Sequence, residues 1–227
     1  MYRSDRCKQI DDDTFTLKIQ KDRDFRILQL TDLHLGFGIL SRGRDKLALN
    51  AVRKLIEKSK PDLIVLTGDS IFPFFPRSGT MNKRRQAKKL MAFFHMPLRE
   101  FKEAYEKMKL GDKSVVYCHG SIAEKHEYFG ISKKRGTFFE RAVENGVIKW
   151  MFCGHDHMNT LSLVYKGIRM TYGMSIDYLG YQGIWKSHIQ RGGTLITRKT
   201  DGSVDIRMVP LGPVVSTRVR GVKKNAG

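Results

Sequence analysis

Four apolar runs in this chain end on residues that can bind a cation. "LQLTDLH" delivers Asp32 and His34, "LIVLTGD" delivers Asp69, "LMAFFHMP" delivers His95, and "WMFCGHDHMN" delivers His155 and His157. Imidazole and carboxylate together, with no thiolate, suit Zn²⁺, Fe or Mn²⁺. Residues two apart at a strand end or in a tight turn can face the same side, so D-x-H and H-x-H can each aim two donors at one place. A carboxylate such as Asp69 can bridge two cations with its two oxygens. Two ions roughly 3.5–4 Å apart would clamp a phosphoryl group and generate hydroxide from water. Each run alone has a plainer reading. A single Asp after a strand is commonly a cap or turn residue, and a lone His95 is more often packed than ligating. The chain has only 7 histidines, however, and the same coincidence recurs at the ends of four runs. The four together point to one site.

The elements that would position these residues follow from periodicity. Residues 24–32 form a short apolar run and predict a strand. From about 44 to 60, Ala48, Val52, Leu55 and Ile56 recur at helical spacing, and Pro61 stops the helix. "DLIVLTGD" follows as a continuous apolar run, which predicts a strand buried on both faces. Strand, helix, strand implies a βαβ unit with parallel strands, and ligands in open α/β sheets bind beyond the strands' carboxyl ends. A helix is expected over 97–109. Another is expected in "RGTFFERAVENGV", capped by Thr137 and closed by Gly146. "IKWMFCGHDH" reads as a strand. The β-rich remainder holds two hairpins, in "LSLVYKGIRMTYG" and in "GGTLITRKTDGSVDIRMV", the second turning at Asp201-Gly202. There are no internal repeats.

At 227 residues and 26.1 kDa, the length suits a single domain over 1–227, with a core over about 25–205 and a basic tail from 206 to 227. Hydrophobic content of 41% is that of a globular chain. No run of about 18 apolar residues occurs, so no membrane association is expected, and "MYRSDRCKQIDDD" has no apolar signal core. Cys7, Cys118 and Cys153 are odd in number and match no zinc-finger spacing. A cytoplasmic protein in a reducing compartment is therefore expected, with Cys153 as a small buried hydrophobe. The net charge of +19 would suit nucleic acid or a phosphorylated partner, although a solvated surface explains it as well.

In this order and spacing, Asp32 and His34, Gly68 and Asp69, His95, and Gly154, His155 and His157 resemble the calcineurin-like metallophosphoesterases. The likeness extends over about 25–205 and is strongest to the branch of purple acid phosphatases and related bacterial phosphohydrolases. It implies an α/β fold, a β-sandwich of mixed sheets flanked by helices. It also implies a phosphoric ester hydrolase with two divalent metal ions (Mn, Fe or Zn) and a phosphorylated small-molecule substrate. Asp32, His34 and His157 would bind the first metal and His95 and His155 the second. Asp69 would bridge them, and a bridging hydroxide would attack phosphorus in line.

One part of the family pattern is missing. The family carries an Asn-His motif between the "GD" and the later histidine, its Asn a ligand of the second metal and its His a contact to phosphate. Here residues 70–94, 25 in all, separate Asp69 from His95 and contain no such motif. Their single asparagine, Asn82, offers at best a poor substitute. An internal segment is thus missing relative to the family, whether through a natural degenerate relative, a wrongly delimited gene or a segment lost from the record. The second metal should bind more weakly, and leaving-group assistance, typically worth about 10²–10⁴-fold, should suffer. No residue is assignable as catalytic beyond the metal ligands.

The basic run from Lys83 to Lys89 could line the site but reads better as a solvated linker. Tyr172, Tyr178 and Tyr181 could line a pocket or simply pack, and Arg191 has no evident role. Two functional classes follow: a dinuclear phosphoesterase, weakened or inactive, and a non-catalytic relative that binds an acidic partner such as nucleic acid. A nuclease is a third reading. Ser70 and Ile71 after Asp69 leave no tyrosine for an iron-tyrosinate centre.

Overall fold

A computed structural model describes residues 7–11, 14–17, 19, 22–36, 41–70, 90–131, 136–179 and 191–212. A short hairpin, β1 (Cys7–Asp11) and β2 (Thr14–Leu17), opens it. Then come β3 (Phe25–Leu30), α1 (Arg42–Ser59), β4 (Leu63–Leu66), β5 (Leu90–Phe93), α2 (Arg99–Lys109) and β6 (Val115–His119). The series ends with α3 (Phe138–Asn145), β7 (Ile148–Cys153), β8 (Ser162–Tyr165), β9 (Ile168–Tyr172), β10 (Gly192–Arg198) and β11 (Val204–Pro210).

Two mixed sheets result, one in the order β11-β10-β3-β4 and the other in the order β5-β7-β9-β8-β6. β3 pairs parallel with β4 as the βαβ reading requires, and β5 pairs parallel with β7. Both expected hairpins form, β8 with β9 and β10 with β11, and Gly202 takes a φ of +84° in the second turn.

The period of two in the strands builds a layered core. Ile27, Phe152, Ile196 and Ile206 form one cluster between the two sheets, where the Phe93 and Phe152 rings stack at 4.8 Å. Their neighbours in sequence point the other way. Leu28, Leu30 and Leu195 meet Ala48, Ala51 and Leu55 of α1, while Met151, Cys153 and Met170 meet Phe101, Ala104, Phe139 and Ala142 of α2 and α3. The central strands are therefore buried on both faces, and each large side chain so placed contributes about 1.5–3 kcal/mol. Cys153, 1% exposed, is the buried hydrophobe expected of it. The architecture is the α/β sandwich of mixed sheets flanked by helices. Among the described residues no helix is long and apolar enough to cross a membrane.

Three expectations need correction. β4 is not buried on both faces: it is the last strand of its sheet among the described residues, and Ile64 and Leu66 are 40% and 56% exposed. A continuous apolar run predicts a doubly covered strand only if both faces meet a neighbour, and here one does. Thr137 sits at the start of α3 without a side-chain capping bond, whereas Gly146 closes the helix in a left-handed turn with its N–H on Ala142 and Val143 carbonyls. α1 ends where expected, just ahead of Pro61, with its capping residue Lys60 left-handed at φ 46°. β1, β2 and β6 had no counterpart in the sequence reading. The tail expected from 206 does not begin there, because 206–210 belong to β11 with Ile206 in the core, while the basic run 83–89, Asn82, Tyr181 and residues 213–227 lie outside the described residues.

Candidate metal centre

The four expected strand ends do converge. Asp32 and His34 follow β3, Asp69 follows β4, His95 follows β5, and His155 and His157 follow β7. Since β3–β4 and β5–β7 are parallel pairs in facing sheets, one edge of the sandwich collects all six residues. The strands do not simply run on into the site. Asp32 (φ 54°), His34 (φ 48°), Asp69 (φ 43°) and His155 (φ 74°) are all left-handed. Asp and His tolerate this region better than most residues, yet each such position costs about 1–3 kcal/mol. The D-x-H spacing therefore works through tight turns rather than strand alternation. Main-chain bonds hold the turns: His34 N–H donates to the Asp69 carbonyl at 2.8 Å, and Gly154 N–H to the His95 carbonyl at 2.9 Å.

Two glycines make room for the turns. At Gly68, φ is +103° and a Cβ would fall 2.7 Å from the His95 ring. At Gly154 it would fall 2.1 Å from Thr31 Oγ1 and 3.0 Å from Asp32 Oδ2. Any side chain there would displace a candidate ligand.

The six donors form two adjoining groups, Asp32, His34 and His157 in one and Asp69, His95 and His155 in the other, with the ligand atoms of each within 4.8 Å of one another. In the first, His34 Nε2 lies 3.3 Å from His157 Nε2, which lies 3.4 Å from Asp32 Oδ1. In the second, His95 Nε2 lies 3.1 Å from His155 Nδ1 and 3.3 Å from Asp69 Oδ2. The same Asp69 oxygen is 3.8 Å from His34 Nε2, so it faces both groups.

Surrounding residues fix the ring orientations. Asp177, fully buried, lies 3.0 Å from His157 Nδ1 and so leaves Nε2 turned inward. His95 Nδ1 lies 3.0 Å from the Thr67 carbonyl, which can only accept, so Nδ1 carries a proton and Nε2 is the nitrogen turned toward the site. Braced imidazoles of this kind are characteristic of metal ligands.

Asp177 was not among the residues the sequence singled out. Its only signal is that it too ends an apolar run, in "GMSID". The chain from Gly173 to Asp177 crosses between the sheets: Gly173 N–H bonds Cys153 O, Ile176 N–H bonds Thr31 O, and Gly192 N–H bonds Ser175 O. Arg191 now has a role, since its Nε donates to the Asp177 carbonyl and its guanidinium lies 4.3 Å over the Tyr178 ring. Tyr172 packs in the core, 4.6 Å from the Phe101 ring, and does not line the site.

Burial pushes the His157 imidazolium down, but Asp177 and Asp32 outweigh it and carry its pKa up to about 10. Burial likewise pushes Asp32 up, and the His157 and His95 imidazoles overcome it and hold its carboxyl below the usual range. His34 is held low, chiefly by burial.

The donor set fits a cation. Asp32 Oδ1 is buried and makes no hydrogen bond among the described residues, although imidazole nitrogens surround it at 3.4 and 3.9 Å. The field at the His157 ring, whose two nitrogens each face a buried carboxylate, favours positive charge. A divalent ion would meet the same field with more charge.

The segment "HDHMN" also has a second face. While His155 and His157 turn toward the donors, Asp156 accepts from Gly130 N–H at 3.0 Å and from the Tyr172 hydroxyl at 2.6 Å. Asn159 Oδ1 accepts from the N–H groups of Ala123 and Glu124, and its Nδ2 donates to the Tyr128 carbonyl at 3.2 Å. These bonds hold the connection between β6 and α3 against the site, forming a cavity of about 420 Å³.

Comparison with known proteins agrees with this geometry. A model of the family described as calcineurin-like phosphoesterase matches residues 25–99. A 67-residue stretch, 25% of this chain, is 42% identical to probable inactive purple acid phosphatase 28 of Arabidopsis thaliana and covers 17% of it. A 91-residue stretch, 40% of this chain, is 28% identical to probable inactive purple acid phosphatase 29 of the same plant and covers 21% of it. The chain thus spans only a minor part of the length of the curated relatives it matches. The stretch that carries Asp32, His34, Asp69 and His95 is thus similar to the calcineurin-like phosphoesterase family.

Proposed function

We propose that the protein is a metal-dependent phosphoesterase with two cation sites. Asp32, His34 and His157 would hold one ion and His95 and His155 the other, with Asp69 between them. The observation that carries this reading is the convergence of six oxygen and nitrogen donors from four strand ends into two adjoining groups. Bound ions would supply Lewis acidity toward the phosphoryl oxygens and an acidified water as nucleophile. The chain's own contribution is orientation. Asp177 and the Thr67 carbonyl fix which nitrogen of His157 and His95 faces inward. Burial of Asp32 and His34 keeps bulk water from competing for their donor atoms. Manganese, iron and zinc all suit this donor set.

The test is metal content per chain, measured with hydrolysis of a chromogenic phosphate monoester and diester on the same sample. Close to two ions per chain and turnover abolished by chelator is the expected result. One ion or none, without turnover, would sink it.

A second reading has its own support. The relatives named above are called probable inactive phosphatases, and an Asn-His motif is absent between Asp69 and His95. A non-catalytic protein that holds an acidic partner through its +19 charge fits these facts. It predicts salt-sensitive binding of DNA or RNA and no turnover whichever of the three metals is loaded.

A further inference from the structure

The cavity beside the metal groups has a wall that the sequence reading did not anticipate. His155 and His157 form its floor, and Lys125, His126 and Tyr128 line it from the connection between β6 and α3. That connection is rigidly placed. Besides the Asp156 and Asn159 bonds, Met158 N–H donates to Glu124 Oε1 at 3.1 Å, and Glu127 Oε1 accepts from the Tyr105 hydroxyl at 2.9 Å while Lys109 holds its other oxygen. His126 and Glu127 are both left-handed, at φ 55° and 52°. Two consecutive side-chain-bearing residues in that region persist only where surrounding bonds enforce them.

The chemistry of the wall is lopsided. The carboxylates of Glu124, Glu127 and Asp156 are each engaged in hydrogen bonds. Lys125 and His126 are exposed, and among the described residues neither side chain has a hydrogen-bond or ion-pair partner. Positive and donor groups are thus left facing a cavity of small-molecule size that reaches one histidine of each donor group.

We infer that this cavity is the leaving-group subsite, and that Lys125 and His126 select phosphate esters carrying a second anionic group. The inference rests on the phosphoesterase reading. The ester phosphate would sit at the cations held by the two donor groups, and the second anionic group, a carboxylate or another phosphate, would reach the Lys125 ammonium and a His126 N–H. Tyr128, 60% exposed on the same wall, offers its ring to the connecting part of the substrate.

The test uses two non-hydrolysable ligands that differ by one carboxylate, phenylphosphonate and 4-carboxyphenylphosphonate, titrated calorimetrically into the manganese-loaded full chain. The carboxylated ligand should bind about fivefold more tightly, the range of one or two partly exposed ion pairs. The Lys125→Ala/His126→Ala double variant should lose that preference while holding phenylphosphonate within about twofold of wild type. Equal affinity of the two ligands for the wild-type chain overturns the inference and leaves the phosphoesterase reading standing. So does a preference that survives in the double variant. Failure of both phosphonates to bind overturns the phosphoesterase reading and this inference with it.

Discussion

The two donor groups are built differently although they share one edge of the sandwich. Asp32, His34 and His157 are sunk into it, with Asp32 1% and His34 6% exposed, and His157 is braced by the side chain of Asp177. Asp69, His95 and His155 stand nearer the solvent, and His95 is braced by the main-chain carbonyl of Thr67. The first group is a preorganised, charge-balanced pocket that any single side-chain change can spoil. The second is more open, and its brace cannot be removed by substitution because every residue has a carbonyl.

The largest effect expected from breaking this contrast is at Asp32. Asp32→Asn removes the buried charge that balances the first group, and metal content should fall by one ion with turnover down more than about 100-fold, beyond the loss expected for a supporting residue. Elemental analysis and a steady-state assay read both.

Next comes the brace. Asp177→Asn should weaken the first ion about 10–100-fold and leave the second unchanged. Competition with a chelator of known affinity would show two separated titration steps; two steps that stay together would refute the asymmetry.

A pH series sharpens the same point. In the metal-free protein His157 has a folded pKa of about 10, above its unfolded value near 6.5. Its contribution to stability should be fully present below about pH 6.5 and be lost as pH rises toward 10. Metal binding must displace that proton. Thermal melts should therefore fall with rising pH over this window without metal and flatten with it, and calorimetry in buffers of different ionisation enthalpy should detect the released proton.

The smallest effect tests the backbone brace. Thr67→Val removes a hydrogen bond from Gln29, 3.1 Å away, at a cost of about 1 kcal/mol. Affinity at the second site should stay within about twofold of wild type by chelator competition.

The ligand types were legible because they sit at the ends of apolar runs, and burial of a strand is the strongest local signal a sequence carries. The parallel pairing that brings those ends together was legible for the same reason. What the letters hid was reached through long-range contact. Asp177 braces His157 only because the chain after β9 crosses between the sheets, and no spacing rule encodes that crossing. The wall of the cavity lies in "GSIAEKHEYFG", which has no periodicity and is shaped by bonds from Asp156 and Asn159. β4 reads as doubly buried although it is not, because apolar content reports what a strand could bury and not what lies beside it. β6, in "VVYCH", passed unnoticed between a helix and a polar loop.

The bonds from Asp156 and Asn159 to that wall all end on main-chain atoms: the N–H groups of Ala123, Glu124 and Gly130 and the carbonyl of Tyr128. Positions 125, 126 and 128 thus act as interchangeable fittings on a fixed mount. The frame is secured without consulting their side chains, so descendants of this fold could trade one clientele for another by replacing a few letters there, while the histidines beneath went on unaltered.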